Sequence, residues 1–361
     1  MKVAIVHDWL NQLGGAEAVL EALTELYPEA PIFTSIYHPQ AMPDRYRQWD
    51  IRASWLDRLP LIKTHHQPFL ALYPLAFEGF DLRGYDLVIS NKSAFCHGVI
   101  TPADTVHVCY CLTPTRFLWD YHNYIQNERI NPLAAALLSP VLPNLRLWDR
   151  VAAERVGHFV AISQTVRQRI RKFYGRDAEI IHPPVDVDRF RIQDGHEDYF
   201  LIVSRLVPYK RIDLAVEAFN KLELPLVILG DGRDRSRLQA RAKANIEFLG
   251  RLPDSEVERY IARCRAFIFP GEEDFGIAPV EAQAAGRPVI AYAAGGALET
   301  VVEGVTGVFF REPTADSLAR AVSEFDERVF DGQEISTHAR HFDKDTFKRK
   351  FQAFVSDRLG T

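Results

Sequence analysis

The chain has 361 residues, 47% of them hydrophobic and 25% charged, which is typical of a globular protein with about two domains. This composition excludes a disordered chain, a collagen-like chain and a coiled coil. The formal net charge is −5, from 43 basic and 48 acidic residues, and there is no basic tail. That balance disfavours a nucleic-acid partner.

Two features of the sequence indicate a cytoplasmic protein, and the cysteines add a smaller constraint. The amino-terminal stretch MKVAIVHDWLNQLGG lacks the apolar core and the cleavage site of a signal peptide. The longest apolar run, 133–145, contains two prolines and is shorter than the roughly 20 apolar residues of a spanning helix. The cysteines show no C-x-x-C spacing and no cluster with histidines, so we expect four buried thiols and no metal site.

The amino-terminal half begins with a strand, a turn and a helix. Apolar runs predict strands over residues 2–7, 85–90, 106–111 and 158–162. A helix is predicted over 16–26, after a turn formed by Gly14 and Gly15. Each later strand is followed by a turn and a helical pattern, although less regularly.

Strands and helices alternate clearly in the carboxyl-terminal half. The predicted strands are 199–204, 224–230, 246–250, 266–270 and 288–292, and the predicted helices are 212–222, 234–244, 255–264 and 278–285. This alternation predicts an α/β protein with parallel, doubly wound sheets. We expect two Rossmann-like domains, 1–183 and 184–342, with a cleft between them. An amphipathic helix within 343–361 is expected to pack back on the first domain.

The most informative segment is 271–286, GEEDFGIAPVEAQAAG, which follows a predicted strand and enters a helix at about Ile277. Free N–H groups at a helix start favour an anion such as a diphosphate. Glu281, about one turn into the helix, can accept two hydrogen bonds from a ribose diol, and Glu273 can orient the hydroxyls of an attached sugar. Acids that merely oppose the helix dipole are the alternative. The combination of loop, glycine and two spaced acids favours binding.

A second segment, SRLVPYKR at 204–211, places Arg205 and Lys210 directly after the first strand of the second domain. Two cations at the carboxyl edge of a sheet can neutralise a nucleotide diphosphate and stabilise it as a leaving group. A solvated basic loop is the alternative. The position at a strand-to-helix crossing favours the diphosphate interpretation.

These motifs together resemble the retaining GT-B glycosyltransferases of family 4. The resemblance rests on SRLVPYKR, on the GDG at 230–232, on FLGRLPD at 248–254 and on EDFGIAPVE at 273–281. HDWLNQLGGAEAVL and TPTRFLWD resemble the bacterial mannosyltransferase-like branch that builds O-antigen and exopolysaccharide. The resemblance covers nearly the whole chain. It implies a GT-B architecture, with an acceptor-binding first domain and a nucleotide-sugar-binding second domain.

The resemblance also implies roles for individual residues. Arg205 and Lys210 would hold the donor diphosphate, Glu281 the ribose hydroxyls, and Glu273 the donor sugar. The predicted catalytic residues are Glu273, Arg205 and Lys210, with Arg116 added as a candidate from the first domain. The other predicted substrate-binding residues are Gly14, Gly15, Gly232, Arg251, Leu252, Asp274, Phe275, Gly276 and Ile277. The D-x-D of Asp186 and Asp188 lies in the interdomain segment and is interpreted as structural, so no metal and no cofactor are expected.

One position departs from the related branch, where a histidine precedes the Thr-Pro of TPTR. Here Leu112 stands at that position, and leucine neither forms hydrogen bonds nor transfers a proton. The polar candidates nearby are His97, His107, Arg116 and Asp120. Arg116 is the preferred cleft residue, and His107 is expected to pack in its strand. Altered substrate choice, weak activity and an inactive relative all stay open.

Residues 45–80 combine basic residues with tryptophans and end in the apolar run FLALYPLAF. Two interpretations stay open for this stretch. It is either a peripheral contact with anionic lipid at the inner face of the cytoplasmic membrane, or an ordinary helical subdomain with solvated arginines.

The function predicted from the sequence is the metal-independent, retaining transfer of a hexose, with mannose favoured. The donor would be GDP- or UDP-linked and the acceptor a saccharide, expected on a lipid carrier, in cell-surface polysaccharide synthesis. The alternatives are a nucleotide-sugar 2-epimerase on the same fold and a non-catalytic nucleotide-sugar-binding relative.

Overall fold

The computed structural model describes residues 1–64, 67–121 and 140–360. The chain forms two compact units, one of Met1–Pro184 with Phe347–Thr361 and one of Val185–Thr346. Each unit is built on a parallel sheet whose strands follow the Rossmann order. The predicted α/β class with two doubly wound sheets is therefore confirmed.

The first unit contains a seven-stranded sheet. Its strands are β1 Val3–His7, β2 Ile32–Thr34, β3 Ile51–Ala53, β4 Leu87–Lys92, β5 Val106–Cys111, β6 His158–Ala161 and β7 Ala178–Ile180. The order is β3-β2-β1-β4-β5-β6-β7, and all neighbours pair in parallel. Every residue of β1 and β4 is buried, as expected of central strands covered on both faces.

The described α-helices of this unit include the last helix of the chain. They are α1 Gly15–Leu26, α2 Tyr73–Glu78, α3 Arg116–Trp119, α4 Leu142–Arg155, α5 Gln164–Tyr174 and, returning from the end of the chain, α13 Lys344–Leu359. Phe347, Phe351 and Val355 are buried along one face of α13. The ring of Phe347 meets that of Tyr110 edge-on, with 5.5 Å between centroids. The helix thus completes the core of the first unit.

The second unit contains a six-stranded parallel sheet in the order β10-β9-β8-β11-β12-β13. Its strands are β8 Phe200–Val203, β9 Leu226–Leu229, β10 Ile246–Gly250, β11 Ala266–Phe269, β12 Val289–Tyr292 and β13 Gly307–Phe310. Its helices are α6 Ile212–Leu222, α7 Arg235–Gln239, α8 Asp254–Arg263, α9 Ile277–Ala284, α10 Ala297–Thr300, α11 Ala315–Glu324 and α12 Gly332–Ala339. One apolar cluster that includes Phe200, Phe219 and Leu318 forms its core.

The structure departs from the sequence predictions mainly in short elements. Four strands were not predicted, namely β2, β3, β7 and β13, each of three or four residues. The helix predicted over 234–244 ends at Gln239. The amide of Asn245 donates to the carbonyls of Phe219 and Leu224, which ties the following turn to α6. The apolar pattern of the sequence continues to residue 244, but these bonds hold the residues after Gln239 in a turn.

Two further expectations concern cysteines and membrane spans. All four cysteines are buried and free, as predicted. Within the described ranges, none of the helices has the length and hydrophobicity that crossing a lipid bilayer requires. Most of the apolar run 133–145 lies outside the described residues.

Candidate functional site

The predicted site residues of the second unit follow two neighbouring strands, β8 and β11. These strands pair in parallel, so their carboxyl ends lie side by side at one edge of the sheet. The strand order reverses between them, and in open parallel sheets this switch point is where ligands bind. Arg205 and Lys210 lie in the loop after β8, and Glu273 lies in the loop after β11.

The two loops are joined by an ion pair between Lys210 Nζ and Glu273 Oε2. Both side chains are mostly buried, with 14% and 21% of their surfaces exposed. Tyr209 connects this pair to the second cation. Its ring lies 5.3 Å from Lys210 Nζ, and its hydroxyl accepts a hydrogen bond from Arg205 Nη2 at 3.0 Å. Tyr209 stands inside SRLVPYKR, but sequence reasoning considered only the cations there.

Glycines allow the site loops to pass close to one another. A Cβ on Gly271 would lie 2.7 Å from the carbonyl oxygen of Lys210, so the Lys210 loop crosses directly over this position. Gly276 has a φ of +90°, and its Cβ would lie 2.9 Å from the ring of Phe269. Helix α9 begins at the next residue, Ile277, and its free N–H groups therefore face the same edge of the sheet.

The backbone of Gly295 and Gly296 supports the Glu273 loop. Gly296 N donates to the carbonyl of Glu273 at 2.8 Å, and a Cβ on Gly296 would lie 2.2 Å from Phe275 Cα. Gly295 adopts a φ of +59°. These glycines therefore hold the loop in place, which accounts for them without a ligand.

The remaining predicted residues of this loop differ in exposure. Asp274 and Phe275 are buried, and the ring of Phe275 packs against Phe342 with 5.6 Å between centroids. The side chain of Phe275 therefore packs in the core, and only its backbone remains available to a ligand. Packing alone requires a glycine at position 232, because a Cβ there would lie 2.3 Å from the carbonyl oxygen of Leu206.

Arg251 and Leu252 follow β10 at the same carboxyl edge of the sheet. Arg251 is exposed and Leu252 is half-buried. They are two strands away from β8, in the order β10-β9-β8. The fold therefore places them along the edge that carries the cations.

Glu281 is half-buried in α9, and burial raises its pKa to about 7. Arg189 opposes this shift, while Asp254, Asp186 and Glu258 add to it. Arg189 itself bonds to Glu258 at 3.0 Å. Sequence reasoning missed Arg189 and treated Asp186 as structural. Arg189 and Asp186 affect the pKa of Glu281 because the 3₁₀ turn Val187–Arg189 packs against α9 in the folded unit.

Gly14 and Gly15 lie in the first unit, between β1 and α1. The φ of Gly14 is −172°, which is extended backbone that any residue adopts. A Cβ there would only touch Glu17 Oε2 at 3.4 Å, an ordinary contact. Neither conformation nor packing within the unit therefore demands a glycine at position 14.

Arg116 is the first residue of the short helix α3, and the residues around it are held by hydrogen bonds to Asp149. The fully buried carboxylate of Asp149 accepts hydrogen bonds from Thr115 Oγ1 at 2.8 Å and Trp119 Nε1 at 2.6 Å. Lys92 is also fully buried and donates to Thr115 Oγ1 at 3.2 Å. Burial opposes the charge of Lys92, but Asp149 and other groups outweigh it and raise the pKa of Lys92. Sequence reasoning missed both charges.

The histidines near Leu112 are buried. His107 bonds to Ser90 Oγ at 2.9 Å, and burial lowers its pKa to about 3, so it is neutral and packs in its strand as expected. His97 is also fully buried, and desolvation together with the charge of Lys92 holds its pKa well below the usual value. Neither histidine is exposed to take the place of the one missing at 112.

No group of three or more histidine, cysteine, aspartate or glutamate side chains suited to a metal ion occurs in the described part of the chain. The polar groups that the second unit collects at its switch point are cations, helix N–H groups and two carboxylates. Such a set suits a phosphorylated ligand that carries hydroxyl groups.

Two Rossmann-order sheets, with this site at the switch point of the second, define an α/β protein of the GT-B architecture. The family model described as glycosyl transferases group 1 matches residues 186–329, and the one described as Glycosyltransferase Family 4 matches residues 13–189. The two models together extend over 13–329. The chain belongs to the glycosyltransferases that these two models describe.

Curated relatives agree with this membership. A GDP-mannose-dependent monoacylated alpha-(1-6)-phosphatidylinositol monomannoside mannosyltransferase of Corynebacterium glutamicum is 32% identical over 216 residues, covering 51% of this chain and 56% of that protein. The chain spans about half the length of the curated relatives it matches.

Two solved structures share the fold over the whole chain. Sucrose-phosphate synthase from Thermosynechococcus elongatus superposes with a TM-score of 0.77 at 16% identity, covering 100% of both chains. Anabaena HepE in complex with UDP gives a TM-score of 0.74 at 17% identity, covering 99% of this chain and 100% of that chain.

Proposed function

We propose that this protein is a retaining glycosyltransferase that moves a hexose from a nucleotide diphosphate sugar to a saccharide acceptor. The observation that carries the proposal is the joined set of Arg205, Lys210 and Glu273 at the switch point of the second sheet. It brings two cations and a sugar-orienting carboxylate together beside a helix start. The donor is assigned to 184–342, and the acceptor to 1–183 with the helix of 343–361.

Arg205 and Lys210 bind the donor diphosphate in this proposal. The ammonium of Lys210 is held by Glu273 in the free protein. A diphosphate carries more negative charge than one carboxylate, so it competes for the ammonium and releases Glu273 to accept bonds from sugar hydroxyls. As the bond from the anomeric carbon to the diphosphate breaks, the two cations stabilise the charge that develops on the leaving group. The acceptor hydroxyl then attacks the oxocarbenium-like carbon from the same face and gives its proton to the departing diphosphate.

Glu281 binds the ribose hydroxyls, and the raised pKa supports a functional role for this residue. A carboxyl whose ionisation is disfavoured by burial costs stability, and such a cost is typical of residues that serve a ligand rather than the fold. The backbone of Asp274, Phe275, Gly276 and Ile277 lines the sugar side. Gly232, Arg251 and Leu252 lie towards the base.

The first unit contributes Gly14, Gly15 and Arg116. Gly14 has no internal reason to be a glycine, which supports a backbone approach to the donor diphosphate. Arg116 is the cationic side chain that replaces the polar function lost with Leu112. Its helix is anchored through Thr115 and Trp119 to Asp149, so its position is well defined.

GDP-mannose is the proposed donor. The Corynebacterium glutamicum relative is named GDP-mannose-dependent and is the basis for this choice, whereas Anabaena HepE was solved with UDP. Competition of GDP and UDP for the free protein, measured by calorimetry, separates the two bases. Tighter binding of UDP would reject the proposed donor.

The acceptor is proposed to be a lipid-linked saccharide of cell-surface polysaccharide synthesis, glycosylated in the cytoplasm at the inner face of the membrane. Residues 45–80 expose Trp55 and Leu61, with 45% and 73% of their surfaces accessible, which suits a contact with lipid. Their basic side chains are largely matched by acids, as in the pairs Arg45–Glu21 and Arg52–Asp50. The apolar tips, rather than charge, therefore support this contact.

A non-catalytic nucleotide-sugar-binding protein is the second candidate, favoured by Leu112 and by the burial of both nearby histidines. Incubating the protein with radiolabelled GDP-mannose and measuring released GDP separates the two. Slow hydrolysis that is abolished in Glu273→Gln supports a transferase. Tight binding of GDP-mannose without any turnover supports the binding protein. The exposed neighbour Glu272 provides the matched control Glu272→Gln, which is expected to behave as the wild type.

A further inference from the structure

Two buried polar residues of the motif HDWLNQLGGAE at 7–17 have no role in the proposed donor site. They are His7, the last residue of β1, and Glu17, in the first turn of α1, with 1% and 5% of their surfaces exposed. Their neighbour Asp8 has a structural role, because its carboxylate accepts hydrogen bonds from the backbone N–H groups of residues 93–96. Burying the carboxylate of Glu17 costs free energy, so its contacts need an explanation of their own.

His7 connects Glu17 to the first sheet. His7 Nε2 lies 3.3 Å from Glu17 Oε1, and His7 Nδ1 lies 3.2 Å from Asn91 Nδ2. Asn91 is fully buried and is the residue of β4 that pairs with His7 on β1. The three side chains therefore form one chain of hydrogen bonds that runs from β4 through β1 to α1. We call His7, Glu17 and Asn91 the α1 network.

The carbonyl of Ala16 fixes the direction of these hydrogen bonds. Asn91 Nδ2 donates to that carbonyl at 2.7 Å, and a carbonyl oxygen only accepts, so the amide nitrogen rather than its oxygen is on this side. His7 Nδ1 then accepts from the same amide nitrogen, which assigns the hydrogen of the ring to Nε2. His7 therefore donates through Nε2 to Glu17.

Both ends of the α1 network hold the first turn of α1, next to Gly14. Asn91 bonds to the carbonyl of Ala16, and His7 bonds to the carboxylate of Glu17. The other carboxylate oxygen, Oε2, would lie 3.4 Å from a Cβ at position 14. Gly14 is the N-cap and has no side chain that could accept from the first N–H groups of the helix. The network thus fixes the orientation of a helix start that suits an anion.

We propose that the α1 network positions the Gly14–Gly15 turn so that its backbone meets the donor diphosphate. Its three members are then positioning residues and do not touch the donor. The inference rests on the proposed function and explains why a buried carboxylate stands close behind the two glycines. The charge of Glu17 by itself would repel a diphosphate, so its contribution is the position of the turn. A turn that is fixed beforehand stabilises the leaving group without first having to be ordered.

Hydrolysis of GDP-mannose by single variants tests this role. Glu17→Ala removes the acceptor for His7, and Asn91→Asp keeps the shape of the side chain but removes the donor to Ala16. Each should lower kcat by about tenfold or more with little change in KM, because a misplaced turn loses contacts made as the diphosphate leaves. Glu17→Gln retains an oxygen that accepts from His7 Nε2 and should keep most of the activity. GDP binding, measured by calorimetry, should change much less than kcat, because the second unit carries the nucleotide site.

Glu21 provides a matched control one turn further along α1. Its carboxylate accepts hydrogen bonds from Arg45 and, at 3.0 Å, from the hydroxyl of the buried Tyr46. Glu21→Ala therefore removes comparable bonds from the same helix without touching the glycine turn. It should lower the unfolding temperature, as Glu17→Ala does, but leave kcat and KM unchanged. Each assay is run below the unfolding temperature of the variant, so that loss of folded protein does not imitate loss of turnover.

Three outcomes would overturn the inference. The first is an equal fall of kcat in Glu17→Ala and Glu21→Ala, which would indicate a general effect of helix stability. The second is a fall in Glu17→Gln as large as that in Glu17→Ala, which would assign the role to charge. The third is wild-type turnover in Glu17→Ala and Asn91→Asp, which would leave the transfer reaction intact and make the network a part of the core. A wild-type protein that releases no GDP would instead refute the transfer reaction itself, and this inference with it.

Discussion

Lys210 and Glu273 lie in different loops, yet their side chains form an ion pair at the carboxyl edge of the second sheet. The pair is mostly buried, and it is connected to Arg205 through the ring and hydroxyl of Tyr209. A cation that is already paired must exchange its partner when a diphosphate arrives. This exchange has measurable consequences.

We expect Glu273→Gln to separate nucleotide binding from turnover. The variant should bind GDP severalfold more tightly, because Lys210 no longer has to break an ion pair with Glu273 before it binds the diphosphate. Hydrolysis of GDP-mannose should fall by about 100-fold or more, since the contact with the donor sugar is lost. Calorimetry and a GDP-release assay measure the two quantities. Parallel loss of GDP affinity and turnover would contradict the exchange.

Removing the charge of either cation should weaken donor binding. Arg205→Gln and Lys210→Met are each expected to cost about 1.5–3 kcal/mol of GDP binding through lost charge-assisted hydrogen bonds. Tyr209→Phe removes only the hydroxyl that orients Arg205 and should cost about 0.5–1.5 kcal/mol. Calorimetric Kd values give these differences. A Tyr209→Phe effect as large as that of Arg205→Gln would mean that the hydroxyl itself contacts the ligand.

Glu281→Gln should weaken GDP binding and at the same time stabilise the protein at alkaline pH. Burial raises the pKa of Glu281 from 4.5 to about 7 in the folded chain, so ionisation opposes folding. The cost is absent below about pH 4.5, grows as the pH rises through 7 and is complete above that. The variant should therefore gain about 3 kcal/mol at pH 8 and nothing at pH 4.

Urea unfolding at the two pH values measures this gain, and GDP calorimetry measures the loss of binding. Because the ribose hydroxyls favour the carboxylate form, wild-type affinity for GDP should also rise between pH 6 and pH 8. Unchanged GDP affinity in Glu281→Gln would remove the ribose assignment. Glu256→Gln, on the same helix α8 but paired with Arg259, is the matched control and should leave GDP binding nearly unaltered.

Asp149→Asn should destabilise the first unit and disturb Arg116. The substitution leaves the buried ammonium of Lys92 without its main opposite charge, at a cost of about 3–5 kcal/mol. Adding Lys92→Met should recover much of that stability, because the uncompensated charge is then removed. A double-mutant cycle by urea unfolding measures the coupling. Additive losses would show that Lys92 and Asp149 act independently.

Local patterns were sufficient to predict most of the fold. Strands 106–111 and 246–250 and helix 212–222 were predicted with the bounds that the structure has. Strands β3 and β7 were missed because strands of three residues at the edges of a sheet carry too little alternation to distinguish them from loops. Their formation depends on the neighbouring strands.

The candidate site was predicted in part. Glu273, Glu281, Arg205 and Lys210 could be named because loops after successive parallel strands converge at one sheet edge. Tyr209 has no pattern that distinguishes its bridging position from an ordinary loop tyrosine. The contacts that define its role come from the fold of the loop after β8.

The sequence by itself determined the α/β class, the succession of strands and helices and the residue types at the switch point, because each of these follows from local periodicity and short motifs. Only the tertiary structure decided how charges are compensated. It pairs Arg45 with Glu21 and so neutralises a segment that the sequence presents as basic. It also leaves Arg171 and Lys172 exposed, and removes enough water from Glu281 to raise its pKa to about 7. Solvation and ion pairing depend on residues far apart in the chain, so they arise only when the chain folds.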